Sequence, residues 1–219
     1  QNLSQISFPS LRLLFSDKHP GCLNNGSLGC LSRVANLNRL LLYPLDPYHS
    51  VDPIPLLELL HQRQFVEAPL PIEYGEQSYQ VGDRFFDAFL FLGCSPNIEL
   101  TPSTDDPQQP FCYLQLESRV TPQLLMGKNL KAACPQCKQR FSAEQKQTVD
   151  EQGAISIHCK NCGSIQPVQQ IAWRKTAAYG KTGLSLWNIY EGEAVPSDQL
   201  LTLLQQQSGV QWRYSYIAG

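Results

Sequence analysis

The chain has 219 residues, 42% of them hydrophobic and 16% charged, with a formal net charge of −2 and eight cysteines. That length can bury a sizeable core in one large domain or two small ones. The composition excludes a disordered chain, and no run approaches the roughly 18–20 apolar residues of a membrane span.

Residues 1–10 show neither the basic start nor the apolar core of a signal peptide. Residues 3–15 read as short strands interrupted by Pro9, followed by a turn-rich loop through His19-Pro20-Gly21 and Asn24-Asn25-Gly26-Ser27. In the stretch 31–43, Leu31, Val34, Leu37, Leu40 and Leu41 fall close to helical spacing, which predicts a helix. Asp52-Pro53 is a stronger start signal, because Asp caps and Pro fits a first turn. The helix that follows carries Leu56, Leu57, Leu59 and Leu60 and is expected to end near Gln64.

Residues 77–81 read as a short strand. Asp83 is placed to cap a helix over 84–92, with Phe85, Phe89 and Leu92 on one face and Gly93 ending it, a strand being the alternative for so short an apolar run. The Pro-rich stretch 101–110 reads as a loop and 111–117 as a strand. Nearer the C-terminus, 184–190 reads as a strand. Ser197 caps a helix bearing Leu200, Leu201, Leu203 and Leu204, Gly209 terminates it, and 210–217 alternates as a second strand. This strand–helix–strand unit over 184–217 is expected to place its two strands parallel in one sheet. The predicted fold class is α+β, a mixed sheet with helices on one face. Residues 1–127 and 176–219 form its body, and an inserted or appended module occupies 128–175.

The small net charge hides a segregation. Positions 128–181 hold nine basic and three acidic residues, a balance of +6, and the remainder carries −8. Such asymmetry points to a basic module that either keeps itself soluble or meets an anionic partner.

Half of the cysteines form a pattern. Cys134-Pro135-Gln136-Cys137 and Cys159-Lys160-Asn161-Cys162 are two Cys-x2-Cys pairs separated by residues 138–158. Two thiolates on one tight turn can share an ion while turn amides donate to their sulfurs, and two such turns complete a tetrahedron. Residues 130–170 resemble the zinc-ribbon, or rubredoxin-like, modules: Cys-Pro-x-Cys, a hairpin, then Cys-x-x-Cys-Gly. The resemblance implies Cys134, Cys137, Cys159 and Cys162 as ligands of one structural Zn2+. Lys138 departs from it, standing where many knuckles carry Gly. Iron in the same four-sulfur shell, a dithiol redox pair and catalytic zinc are the alternatives, and the last conflicts with a shell that leaves no open position. His158 adjoins Cys159 and reads as a bystander. Cys22, Cys30, Cys94 and Cys112 read as thiols of the body, and the four-cysteine pattern fits a reducing cytoplasm.

Trp173, Arg174, Lys175 and Lys181 combine aromatic and basic groups after the second knuckle. With Lys138, Arg140 and Lys160 they are the candidate partner-binding residues. Gly180-Lys181-Thr182 echoes a phosphate loop, but position 175 is Lys where the leading Gly belongs. No catalytic triad, nucleotide fingerprint or His-rich centre is legible. The expectation is a cytoplasmic, non-catalytic adaptor or regulatory protein whose basic zinc ribbon contacts nucleic acid or protein, without a membrane. The rival is an enzyme whose body holds the active site, with the ribbon as scaffold.

Overall fold

Two helix starts follow directly from cap chemistry. Asp52 accepts a hydrogen bond from the Ile54 amide at 3.0 Å and opens α1 (Pro53–Gln62). Ser197 accepts one from the Leu200 amide at 3.1 Å and opens α3 (Asp198–Ser208), which Gly209 closes at φ 75°. The computed structural model describes residues 38–93, 98–103, 105–106, 109–151 and 153–219, all within the unit Ser32–Gly219. The strands expected in 3–15, the loop after them with Cys22, Cys30 and Cys94 lie outside the described residues.

In chain order the remaining elements are β1 (Arg39–Pro44), β2 (Val66–Pro69), β3 (Ser78–Val81), α2 (Phe85–Ala88), β4 (Phe89–Phe91) and β5 (Tyr113–Met126). They continue as β6 (Gln147–Val149), β7 (Ile155–His158), β8 (Ile165–Pro167), β9 (Ala177–Trp187), β10 (Ala194–Pro196) and β11 (Trp212–Ile217). Six strands form one sheet in the order β11-β1-β9-β5-β3-β2; β10 and β4 form a pair, and β6-β7-β8 a small third sheet.

The expectation of an α+β fold, a mixed sheet with helices on one face, is therefore corrected. Every pairing in the large sheet is antiparallel, strand is the dominant structure, and the helices are few and short, α3 being 11 residues long and α2 only four. β9 and β11 do run in the same direction, but β1 lies between them and pairs antiparallel with both.

Three local expectations also change. The described part of 31–43 is strand: Leu40 and Leu42 enter one core and Leu41 and Tyr43 another, so a strand buried on both faces reads as a continuous apolar run. Segment 84–92 makes a single helical turn and then pairs with β10 as β4, and Asp83 does not cap it. The strand expected over 111–117 runs on to Met126, past Pro122. The β5–β9 register passes from Ser118↔Thr182 to Gln123↔Gly180, so Pro122 sits in the bulge, where no ladder amide is needed.

Besides the small cluster of Leu41, Tyr43, Ala178 and Ile217, two larger apolar cores among the described residues flank that bulge. The first gathers Leu40, Leu42, Leu114, Leu116, Leu184 and Leu186 with Leu56, Leu60, Leu200 and Leu204. Each such leucine stabilises the fold by roughly 1.5–3 kcal/mol. The second gathers Leu130, Ala132, Phe141, Ile155, Ile157 and Val168 with Ala177 and Tyr179 from β9, and Leu124 and Met126 of β5 pack against it. Two strands thus serve both cores. Among the described residues no helix is long and apolar enough to cross a membrane.

Candidate metal centre

Each Cys-x2-Cys turn is built by the same two backbone bonds. In the first, the Cys134 amide donates to the Gln139 carbonyl at 2.9 Å, and the Lys138 amide donates to the Cys134 carbonyl at 3.0 Å. In the second, the Cys159 amide donates to the Ser164 carbonyl and the Gly163 amide to the Cys159 carbonyl, both at 2.9 Å. The residue after the second cysteine is left-handed in both turns, Lys138 at φ 62° and Gly163 at φ 71°. Lys138 thus adopts the glycine conformation without being glycine, and its Nζ donates to the Pro135 carbonyl at 2.7 Å across the turn. The first turn is framed by the Ala133–Arg140 bridge, and the second joins β7 to β8.

These frames bring the sulfurs of Cys134, Cys137, Cys159 and Cys162 within 4.8 Å of one another. Cys134 and Cys162 lie 3.7 Å apart, Cys137 and Cys159 3.6 Å. A tetrahedron with metal–sulfur bonds of about 2.3 Å has edges of ~3.8 Å, so the cluster has the dimensions of a four-sulfur ion site. A disulfide would require about 2.05 Å. Cys134 and Cys159 are buried, Cys137 is half-buried and Cys162 is exposed, so the site sits at the rim of the second core.

Hydrogen bonding favours the thiolate at two of the four sulfurs. The Ser164 hydroxyl, followed by the Cys137 amide, holds the Cys134 thiol down to about 6, and Ser164 likewise lowers Cys162. The Cys162 amide is the largest influence on Cys159 and lowers its thiol. Burial and the Cys137 and Cys162 thiols outweigh it and leave that thiol pushed up to about 11. Four thiolates cannot gather here without a cation to offset their charge. Ser164, 3.3 Å from the Cys134 sulfur and 3.2 Å from that of Cys162, was not singled out by the sequence; its position two residues past Cys162 is the only signal.

His158 bonds Thr148 Oγ1 at 3.1 Å through Nε2 and is not a member of the four-sulfur cluster. Cys112 is buried just before β5, and burial pushes its thiol up, as for an inert core residue.

The candidate partner-binding residues stand on several elements. Lys138, Arg140 and Lys160 are exposed around the two cysteine turns, and Lys181 is half-buried within β9. Gly180-Lys181-Thr182 is likewise part of that strand. Trp173 packs on the second core and donates its indole N–H to the Val168 carbonyl at 2.9 Å, so its ring is largely committed. Arg174 and Lys175 stand together on a turn, both left-handed at φ 52° and 61°. With Arg213 of β11 they line a cleft of about 420 Å3, a juxtaposition that a segment ending at residue 181 could not reveal. A separate polar cluster joins Arg39 and Arg119 to Glu117, with Ser185 donating to the same carboxylate.

Comparison with family models, curated proteins and solved structures found no match.

Proposed function

We propose that Cys134, Cys137, Cys159 and Cys162 hold one structural Zn2+ and that the protein is a non-catalytic adaptor or regulatory protein. Its basic residues over 128–181 contact an anionic partner. The observation that carries the metal reading is the closed four-sulfur cluster at tetrahedral spacing. Four sulfurs leave no coordination position for water or substrate, which supports a structural over a catalytic ion. The ion would cross-link two turns whose own apolar residues are few, and so fix the position of Lys138, Arg140 and Lys160.

The test is metal content. Native protein is expected to carry one zinc per chain by elemental analysis. Cys134→Ser and Cys159→Ser are each expected to lose it and to open residues 130–171 to protease. Full zinc content with unchanged protease resistance in both variants sinks the metal reading. The anionic-partner reading is checked separately by the salt dependence of binding, which falls steeply where charge supplies the affinity.

A further inference from the structure

β11 is the outer strand of the six-stranded sheet, and one stretch of its outer edge is unpaired among the described residues. Tyr216 points its amide outward, donating to the Lys175 carbonyl at 2.8 Å, and the Ala218 carbonyl accepts from the Lys128 amide at 3.0 Å. Alternation along a strand then directs the N–H and C=O of Trp212 and Tyr214 to the same side, away from β1. None of the described residues supplies a partner for those four groups. They border the 420 Å3 cleft, whose opposite wall is the segment 171–175.

None of the residues lining that cleft is acidic. Among the described residues, no carboxylate pairs with Arg174, Lys175 or Arg213. Two of these cations rest on rings instead: Arg213 lies 4.9 Å from the Tyr43 ring centre and Lys175 3.9 Å from that of Tyr214. Holding Arg174 and Lys175 both left-handed costs on the order of 1–2 kcal/mol per residue. The two faces of the strand differ. Arg213 and Tyr43 stand on one side, whereas Trp212, Tyr214 and Leu201 belong to the first core on the other.

We infer that this edge accepts an extended acidic peptide as an added strand, bonded through the main chain of Trp212 and Tyr214. Its acidic side chains would lie on the Tyr43 face toward Arg213, with apolar ones alternating toward Leu201 on the other face, where Lys175 covers the Tyr214 ring. Nucleic acid would satisfy the cations but not the alternating N–H and C=O groups, which match a peptide backbone. The inference rests on the anionic-partner reading above and names its partner class and place.

The test titrates zinc-loaded, 15N-labelled full-length protein with a short synthetic peptide alternating Glu and Val. A second peptide is the same sequence N-methylated at alternate residues, and the third probe is oligothymidylate. The expected result is movement of the Trp212 and Tyr214 amide signals. The N-methylated peptide and the Arg213→Glu variant should each weaken binding by about tenfold. Equal affinity for the N-methylated peptide, or unmoved Trp212 and Tyr214 amides, overturns strand addition. Oligothymidylate binding that is lost in Lys138→Gln/Arg140→Gln/Lys160→Gln, with no peptide binding, overturns the inference and leaves the anionic-partner reading standing. Binding of neither probe overturns both.

Discussion

The two larger cores among the described residues are held by different means. The first draws leucines from three strands of the large sheet and from two helices, nearly all fully buried, and needs nothing beyond apolar burial. The second rests on three-residue and four-residue strands, its sheet exposes Val149 and Ile165, and two of its buried members are cysteines. In a region with so little apolar surface the proposed ion would fix the geometry by cross-linking two turns, whereas the first core is fixed by volume. With the proposed ion bound, one core should be robust to chelation and the other should not.

Metal removal should separate them most sharply. Chelation, or Cys159→Ser, is expected to remove stabilisation on the order of 10 kcal/mol from the second region. Hydrogen exchange should then show lost protection over β6, β7 and β8, while β1 and the 184–187 part of β9 stay protected. Leu186→Ala should do the reverse. It is expected to cost about 2–5 kcal/mol by urea denaturation, with zinc content unchanged in the folded protein. Ser164→Ala removes a hydroxyl near two sulfurs and should weaken zinc retention by about 1 kcal/mol in chelator competition, with the fold intact. The smallest effect concerns the two matching turns. Lys138→Gly is expected to stabilise by about 0.5 kcal/mol, as relief of left-handed strain exceeds the added chain entropy. Gly163→Ala, with open space around the added methyl, should cost about 1 kcal/mol through φ alone; thermal unfolding of the zinc-loaded protein reads both.

What could be read from the sequence follows the same division between local and distant causes. The caps at Asp52 and Ser197, the stop at Gly209 and the two cysteine turns are each set within a few residues, and each lies where its chemistry puts it. The strand at Arg39–Pro44 was hidden because both of its faces are buried by partners far along the chain, leaving no alternation to detect. The reach of β5 past Pro122 was hidden because a bulge excuses the proline, and nothing local announces a bulge. Four short-range sulfur positions were legible, whereas Arg213 joins Arg174 and Lys175 only through the sheet.

The bulge of β5 also limits how far damage travels. The ladder it forms with β9 is unbroken on either side, but between Ser118 and Gln123 five residue steps on one strand match two on the other. A zipper opening from the cysteine turns loses its next tooth at that point, and the leucines beyond it give no reason to continue. Stripped of its ion, the molecule should therefore come apart as a fuse blows, at a set place and without taking the rest of the circuit.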